Sequence, residues 1–381
     1  MKNLKINKIL VVFGTRPEAI KIAPVIIELR KTMDLKVCVT AQHREMLDQV
    51  LDLFKITPDY DLNIMEHGQD LFDITSSVLS GIKRVLNEVQ PELVIVHGDT
   101  STAMVTSIAA FYSMIPVAHV EAGLRTNNIS APFPEELNRQ IISRIASFHF
   151  CPTQAAKTNL INEKIEEQSI YVTGNTVVDA LFSVINIAKT MQYSDDLKKK
   201  LTFIDEDSNR IPKIILVTGH RRENFGKGFE EICLAIKEIA NQNPKVQIIY
   251  PVHLNPNVSE PVNRILFDIE NVYLIEPLDY LNFVKLMNDS YLILTDSGGI
   301  QEEAPSLGKP VIVMRNSTER TEALDSGTVV LVGSNQVKII NTVNELLTNS
   351  ALYNKMSENQ NPYGAGNASK KILKALREAS K

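Results

Sequence analysis

A run of apolar residues ends at a turn whose residue types suit the binding of an anion. In LTDSGGIQEEAPSLGKP (294–310), Ser297, Gly298 and Gly299 follow the apolar run, and Glu303 lies one helical turn further on. Each glycine costs about 1 kcal/mol relative to alanine inside a helix. Glycines at a helix start expose backbone N–H groups to phosphate, and Glu303 could accept hydrogen bonds from ribose hydroxyls. The segment predicts a nucleoside diphosphate site, although a tight strand–helix junction would also explain the two glycines.

Ionisable residues follow the other predicted strands as well. Arg16 and Lys21 come after the first strand, Asp99 and Glu121 come after two later ones, and His220 stands beside two arginines in TGHRRENF. Ligands of parallel α/β sheets bind at the carboxyl ends of the strands. We therefore expect these side chains in one site, where His220 binds an anion or acts as a general acid. The alternative is that His220 is a histidine of the core.

The segment APFPEELNRQ (131–140) adds carboxylates at a predicted helix start. Glu135 and Glu136 follow Pro134, where negative charge suits the helix dipole. Glu135 and Arg139 are also spaced to form an ion pair on the helix surface. The local sequence does not separate this structural interpretation from a catalytic one.

Three common kinds of site are not predicted. No G-x-G-x-x-G follows a strand and no G-x-x-x-x-G-K-[ST] occurs, which argues against a dinucleotide cofactor and against a P-loop. His97 with Asp99, and His119 with Glu121, each place a histidine and a carboxylate on one face of a strand. Further ligands with the usual spacing are missing from the sequence, so we expect neither a metal nor a cofactor.

The elements that must position these residues alternate along the chain between apolar strands and helices. KILVVF (8–13), ELVIVHGD (92–99) and KIILVTGH (213–220) are typical of strands buried on both faces of a parallel sheet. The polar stretch 191–212 interrupts the alternation, which places a domain boundary shortly before it. The pattern predicts an α/β protein of two doubly wound domains, with the strand-end residues in the cleft between them.

Composition narrows the class of protein. The 381 residues carry a net charge of -5, with lysine and arginine spread along the chain, which argues against nucleic-acid binding. No apolar run of the sequence approaches the roughly 18 residues of a membrane span, and the basic N-terminus leads into a first strand rather than a signal peptide. Cys38, Cys151 and Cys233 lack the spacing of a metal or redox motif. They favour buried free thiols in the cytoplasm.

Taken together, the motifs resemble those of one family. The chain resembles the bacterial non-hydrolysing UDP-N-acetylglucosamine 2-epimerases in FGTRPEAIKIAPV, VHGDTSTAM, HVEAGLRT, PFPEELNRQ, VTGNTVVDAL, GHRREN, YPVHLNP, LTDSGGIQEEAPSLGKPV and STERTEA, in this order along almost the whole chain. The resemblance implies two Rossmann-like domains of the glycosyltransferase-B type, residues 1–175 with a returning helix in 364–381, and residues 176–363. It also implies a homodimer without metal. The implied reaction is reversible conversion of UDP-N-acetylglucosamine (UDP-GlcNAc) to UDP-N-acetylmannosamine (UDP-ManNAc), for cell-envelope polysaccharides.

The resemblance assigns residues to three sets. The implied UDP site comprises Arg16, Lys21, Phe283, Ser297, Gly298, Gly299, Glu303 and Arg320. The residues implied around the sugar and the leaving group are Asp99, Glu121, Glu135 and His220, supported by Arg139. Many members of the family bind a second UDP-GlcNAc as an allosteric activator, and the residues that match this pattern are Gln42, Gln69, Glu136, Arg221 and His253. Gly68 stands where some members have arginine, so we expect weakened activation.

Chemistry constrains the route of the implied reaction. The C2 proton of the sugar is not next to a carbonyl, so its simple removal and return would be very slow. Without an NAD fingerprint, we expect anti elimination of UDP to give 2-acetamidoglucal, followed by re-addition. A carboxylate removes the C2 proton in this route, and the sequence does not decide among Asp99, Glu121 and Glu135. The alternatives are a UDP-sugar glycosyltransferase of the same fold and a 2-epimerase of a UDP-diacetamido sugar.

Overall fold

The computed structural model describes residues 6–41, 44–66, 68–203, 212–318 and 320–379. These residues form two compact units. The first unit extends to Ser183 and resumes at Tyr363, and the second unit is Val184–Pro362. Each unit is built around one sheet whose strands pair in parallel. The predicted α/β class with two parallel sheets is confirmed.

The first unit contains a seven-stranded sheet. Its strands are β1 (Lys8–Phe13), β2 (Asp34–Val39), β3 (Tyr60–Asp61), β4 (Leu93–His97), β5 (Val117–Val120), β6 (Phe148–Cys151) and β7 (Ile170–Val172). Their spatial order is β3-β2-β1-β4-β5-β6-β7. Its helices are α1 (Arg16–Leu29), α2 (Arg44–Leu53), α3 (Leu71–Val89), α4 (Ser101–Tyr112), α5 (Glu135–Ile145), α6 (Gln154–Asn162) and the start of α7 (Thr176–Thr190). The order reverses between β1 and β4, which is where sheets of this type bind ligands.

The second unit repeats this plan with six strands. They are β8 (Ile214–Thr218), β9 (Gln247–Pro251), β10 (Val272–Ile275), β11 (Leu292–Thr295), β12 (Val311–Val313) and β13 (Val329–Leu331), in the order β10-β9-β8-β11-β12-β13. The helices are α8 (Asp195–Lys200), α9 (Lys227–Gln242), α10 (Pro256–Leu266), α11 (Tyr280–Asp289), α12 (Gly298–Glu303), α13 (Thr321–Asp325), α14 (Gln336–Thr348) and α15 (Ser350–Glu358). Across the described parts of the chain, no helix is long and apolar enough to cross a membrane.

The strands next to the two reversals explain why the sequence shows continuous apolar runs. Every residue of β4 and of β8 is buried, and β1 is buried after Lys8. Helices cover both faces of these sheets, so neither face of a central strand needs polar side chains. In the second unit, Thr218 and Thr295 end the neighbouring strands β8 and β11, and their hydroxyl oxygens lie 2.6 Å apart. The polar side chains that follow such strands therefore leave the sheet at the same edge.

The final helix, α16 (Ala368–Ala379), returns to the first unit and packs against α1. Its buried face includes Ile372. Its first turn is held by Asp179 of α7, which accepts hydrogen bonds from Ala368 N, Ser369 N and Ser369 Oγ at 3.0, 2.9 and 2.5 Å. A carboxylate from a distant helix thus satisfies N–H groups that have no partner inside α16.

Candidate active site

The turns after β1 and β4 are joined by one buried carboxylate, that of Glu18. Thr15 caps the start of α1, and the N–H groups of Gly14 and Thr15 donate to Glu18 Oε2 at 3.0 and 2.8 Å. Thr100 Oγ1, which caps α4, donates to Glu18 Oε1 at 2.7 Å. Burial raises the pKa of Glu18, and these hydrogen bonds oppose that shift. They fix Arg16, the first residue of α1, at the edge where the strand order reverses.

Glu121 leaves the end of β5 in a left-handed backbone conformation, with φ of 66°. Such a value is uncommon for a residue other than glycine, and backbone strain of this kind clusters at active sites. Its Oε2 lies 2.5 Å from Lys21 Nζ and accepts a hydrogen bond from Asn175 Nδ2 at 3.2 Å. His97 Nε2 lies 4.0 Å from the same oxygen. Lys21, which the resemblance assigns to the UDP site, thus contacts a carboxylate of the sugar set.

Arg139 ties α5 to the turn after β4. Its Nε and Nη2 lie 2.9 and 2.6 Å from Asp99 Oδ2, while Asn138 Nδ2 donates to Asp99 O at 2.8 Å. Its Nη1 lies 3.1 Å from Glu136 Oε2. Burial opposes the charged guanidinium, but the two carboxylates outweigh burial and raise the pKa of Arg139. The interpretation of Glu135 and Arg139 as a surface ion pair is therefore wrong, because α5 turns Arg139 inward onto the β4 turn.

The two glutamates that begin α5 have different surroundings. Glu136 is fully buried and accepts hydrogen bonds from the N–H groups of Thr126 and Asn127 at 3.0 and 3.3 Å. Burial opposes its charged form, but these donors and Arg139 outweigh it and lower the pKa of Glu136. Glu135 Oε2 is also buried, yet it has no hydrogen-bond partner. A buried carboxylate oxygen without a partner is costly, so Glu135 is a natural position for a ligand that supplies a donor.

His97 and His119 are buried, neutral rings. Burial lowers the pKa of His119 to about 3, and its Nε2 lies 2.7 Å from Gly98 O. Burial also lowers the pKa of His97 to about 4, a shift that Glu121 opposes and Lys21 reinforces. Neither ring nitrogen of His97 has a hydrogen-bond partner. Among the described residues, no group of three or more histidine, cysteine or acidic side chains could hold a metal ion.

In the second unit, the turns after β8 and β11 are joined by Asp296. The N–H groups of His220 and Arg221 donate to Asp296 Oδ2 at 3.0 and 2.9 Å. The His220 ring stacks on His253, with ring centroids 5.3 Å apart and an interplanar angle of 13°. Burial lowers the pKa of His220; Asp296 opposes this shift, and Arg221 and His253 add to it. His220 is therefore an accessible, neutral imidazole at a strand end.

The two glycines at the start of α12 are needed for different reasons. A Cβ at Gly298 would lie 2.6 Å from Cζ of Arg320, whose guanidinium is buried and bound to Glu302 Oε1 at 2.9 Å. A Cβ at Gly299 would meet nothing closer than Glu303 Oε2 at 4.0 Å. A Cβ at position 298 would therefore have to displace this guanidinium, whereas position 299 has room for a Cβ. The open space beside Gly299 is available for a ligand to approach the backbone.

Glu303 is held in place by a neighbouring hydroxyl. Tyr280 OH donates to Glu303 Oε1 at 2.7 Å, and both residues are nearly buried. Phe283, one turn further along α11, is half-buried. Ser297 occupies the N-cap position of α12 without a hydrogen bond from its side chain to the helix. These side chains and the two glycines line one end of the second sheet.

The residues assigned to an activator site are divided between the units. In the first unit, the Gln69 amide bonds with main-chain atoms of its own loop, and Glu136 has the buried partners described above. In the second unit, Arg221 Nε is buried without a hydrogen-bond partner, and His253 is exposed. Gln42 lies outside the described residues.

Each unit thus carries candidate site residues at the carboxyl ends of its strands. The first unit pairs Lys21 with Glu121 and Arg139 with Asp99. It places Arg16 at the start of α1 and Glu135 at the start of α5. The second unit brings together His220, Phe283, Ser297, Gly298, Gly299, Glu303 and Arg320. The first set supplies carboxylates beside cations, as proton transfer needs, and the second supplies an open backbone with a histidine and an arginine, as an anion needs.

Sequence reasoning did not find the residues that hold these groups in place. They are Glu18, Asn175, Tyr280, Asp296 and Glu302. All except Tyr280 stand inside a motif that the sequence displays, but their residue types and spacing do not predict these partners. Each has a partner that is distant in the sequence.

Comparisons with known proteins agree with the geometry. The family model for UDP-N-acetylglucosamine 2-epimerase matches residues 26–377. A UDP-N-acetylglucosamine 2-epimerase of Yersinia pestis is 58% identical over 97% of this chain and 98% of its own. One of Escherichia coli K12 is 56% identical with the same coverage. The crystal structure of a Neisseria meningitidis UDP-GlcNAc 2-epimerase bound to UDP-GlcNAc is 52% identical, with a TM-score of 0.90 over 97% of this chain and 100% of the other.

Proposed function

The chain belongs to the UDP-N-acetylglucosamine 2-epimerase family, and we propose that it converts UDP-GlcNAc reversibly to UDP-ManNAc. The observation that carries the proposal is the first-unit cluster of Asp99, Glu121 and Glu135 at one sheet edge, in a chain that matches this family along nearly its full length. A protein that only binds a nucleotide sugar has no need of ionisable groups held beside the sugar. Epimerisation at C2 requires them, because a proton must leave one face and return to the other.

The proposed route is elimination of UDP followed by its re-addition. A carboxylate takes the C2 proton, the C1–O bond breaks with its electron pair passing to UDP, and 2-acetamidoglucal forms. Re-addition reverses these steps with the proton delivered to the other face of C2. The groups that surround the sugar in this proposal are Asp99, Glu121 and Glu135, supported by Arg139. Because Glu121 is held by Lys21 and Asn175, its carboxylate is well positioned to act at one face.

In the second unit, we propose that the diphosphate lies against the open backbone at Gly299, between Ser297 and Arg320. Glu303, with one oxygen bonded to Tyr280, would accept hydrogen bonds from the ribose. Phe283 would pack against the nucleoside, and His220 would face the departing diphosphate. Arg16 and Lys21 of the first unit complete the proposed UDP set. The negative charge that develops on UDP is thus met by fixed donors, which is the largest single contribution in many enzymes.

The test is the reaction of UDP-GlcNAc in deuterated water without added NAD, followed by proton NMR. We expect UDP-ManNAc to form with deuterium at C2 and without an acceptor. Epimer that retains protium at C2, or a requirement for NAD, would overturn the elimination route. UDP release only upon addition of an acceptor would indicate a glycosyltransferase. A parallel reaction with a UDP-diacetamido sugar measures the preference at C3.

We further propose that the chain forms a homodimer through the end of α4. Phe111, Tyr112 and Met114 are 58%, 74% and 90% exposed there and form an apolar surface. Neighbouring exposed apolar residues of this kind mark interaction sites on soluble proteins. Light scattering should give twice the chain mass for the wild type and the mass of one chain for Met114→Lys with Phe111→Lys. A monomeric wild type would contradict this proposal.

We also propose that a second UDP-GlcNAc binds beside His220 and activates the enzyme. Arg221 follows His220 directly, and its unpartnered Nε is suited to a second anionic ligand. The reverse reaction from pure UDP-ManNAc should start slowly and accelerate when a trace of UDP-GlcNAc is added. Coupling of this kind is typically about 1–3 kcal/mol and is reciprocal for binding. A progress curve without a lag and without response to the trace would exclude the second site.

A cytoplasmic location is also proposed. Cys38, Cys151 and Cys233 are buried free thiols, and burial raises the pKa of each to about 12. Proteins of reducing compartments keep such thiols unpaired. Fractionation of cells that produce the protein should recover it with cytoplasmic markers, and recovery in a secreted fraction would contradict the proposal.

A further inference from the structure

We propose that Asp296 is a positioning residue for His220: its carboxylate shapes the turn that carries the imidazole and sets the orientation of the ring. The inference rests on the proposed function, in which His220 faces the departing diphosphate. Asp296 does not touch the substrate in this proposal. It acts only through His220.

The turn after β8 is organised around this one carboxylate. Asp296 is fully buried, at 0% exposure. His220 N donates to both of its oxygens, at 3.1 and 3.0 Å, and Arg221 N donates at 2.9 Å. Asn224 Nδ2, 3.4 Å from Oδ2, also donates to Met314 O. Donors from successive residues of one turn converge on Asp296, so the position of the His220 backbone depends on it.

The carboxylate also faces the ring of His220. Asp296 Oδ1 lies 3.8 Å from His220 Nδ1. Among the residues that the structure describes, His220 is the only chargeable side chain within ion-pair distance of Asp296. A buried carboxylate favours a proton on the side of the ring that faces it. We therefore place a proton on Nδ1, which directs Nε2 away from Asp296 and towards a ligand.

The other ionisable groups around His220 disfavour a positive charge on its ring, whereas Asp296 favours it. Arg221 on the same turn and His253, stacked from the turn after β9, both disfavour a positive charge on the ring. Asp296 is the group that opposes them. When the C1–O bond breaks and the electron pair passes to UDP, a ring that keeps its proton on Nδ1 can donate from Nε2 only as the doubly protonated imidazolium. Asp296, which faces Nδ1, is the group that favours this charged form.

The decisive experiment compares the titration of His220 in the wild type and in Asp296→Asn, by NMR of the full chain with labelled histidine. His220 signals are assigned with His220→Gln. We expect the pKa of His220 to fall by about one unit or more when the carboxylate is removed. Asp289→Asn, which removes an aspartate bound to Tyr193 and Lys285 in the same unit, should leave the His220 titration unchanged. An unchanged or raised pKa in Asp296→Asn would overturn the proposal.

Turnover gives a second, independent measure. Asp296→Asn should lower kcat about tenfold or more, while UDP affinity by calorimetry stays within about threefold. The double variant with His220→Gln should be no slower than His220→Gln alone, because Asp296 acts through His220. Additive losses, or loss of UDP binding with the His220 titration intact, would make Asp296 a structural residue only.

One measurement uses the wild type alone. It tests the role of Asp296 even if Asp296→Asn fails to fold. Nitrogen-15 shifts of His220 report which ring nitrogen carries the proton. A proton on Nδ1 supports the proposal, and a neutral ring protonated only at Nε2 overturns it. These readings need no turnover, so a wild type without epimerase activity would contradict the proposed function while the role of Asp296 is still tested.

Discussion

Lys21 Nζ lies 2.5 Å from Glu121 Oε2, and the two side chains are only 12% and 9% exposed. Replacing Lys21 by an uncharged residue takes this counter-charge away from the nearly buried carboxylate of Glu121. We expect Lys21→Met to lower the free energy of unfolding at neutral pH by about 3 kcal/mol, the lower end of the effect of breaking buried pairs. Urea unfolding measures this change.

The double variant Lys21→Met with Glu121→Gln is the matched control for that ion pair. Because both charges are absent, the double variant should regain most of the stability that Lys21→Met loses. Its turnover should remain low. If the double variant is as unstable as the sum of the two single variants, the ion pair is not the cause.

Gly298→Ala and Gly299→Ala should separate stability from ligand binding. The Cβ at 298 displaces the buried guanidinium of Arg320 from Glu302, so we expect a loss of about 1–3 kcal/mol in unfolding free energy. The Cβ at 299 meets open space and removes a flexible residue from a helix, so stability should be unchanged or rise by up to about 1 kcal/mol. UDP affinity should nevertheless fall about tenfold in Gly299→Ala. Calorimetry that shows wild-type UDP affinity in this variant would mean that no ligand uses the space.

Tyr280→Phe should weaken UDP binding without affecting the fold. The hydroxyl donates to Glu303 Oε1 at 2.7 Å, and its loss removes a hydrogen bond that orients the carboxylate proposed to bind the ribose. We expect a loss of about 1 kcal/mol in binding free energy, against about 1–3 kcal/mol for Glu303→Ala. A larger effect in Tyr280→Phe than in Glu303→Ala would show that Tyr280 itself contacts the nucleotide.

Asp179→Ala should loosen α16 from the first unit. Three donors at the start of that helix, from Ala368 and Ser369, lose their acceptor. Loss of a helix cap typically costs about 1–2 kcal/mol, and we expect at least this change in urea unfolding. Glu378→Ala on the exposed face of the same helix is the control and should change stability by less than about 0.5 kcal/mol. Equal effects would show that the cap at Asp179 contributes nothing specific.

His119 should make the protein sensitive to mild acid. Burial lowers its pKa from 6.5 to about 3, so the unfolded chain binds a proton near pH 6.5 while the folded chain does not until about pH 3. The stability that this difference contributes is complete above about pH 6.5 and is lost as the pH falls towards 3, by about 1.4 kcal/mol per pH unit.

The slope of unfolding free energy against pH, measured from about pH 7 to about pH 5, tests this role of His119. In His119→Gln this slope should be smaller by about 1.4 kcal/mol per pH unit, which corresponds to one proton. An unaltered slope in His119→Gln would assign the acid sensitivity to other groups.

The local pattern of apolar and polar residues was sufficient to predict the strands of both sheets and the residues that follow them. The fully apolar run at β8 predicts a strand buried on both faces, and His220 follows it by two residues. Such predictions succeed because strand formation and burial depend on residues that are close together in the sequence. The family motifs added a prediction of which strand ends carry chemistry, since their order along the chain resembles that of the epimerases.

The sequence by itself determined the elements, the family and the types of residue at each strand end, whereas the tertiary structure alone decided which of those residues bind each other. Arg139 has Glu135 four positions before it, but it binds Asp99, which is 40 residues away. Gly298 lies against the buried guanidinium of Arg320, and the turn at His220 is held by Asp296, which follows another strand. The physical reason is that a buried charge must find donors or counter-charges from whatever elements pack around it. Spacing along one helix cannot specify a partner that another strand supplies.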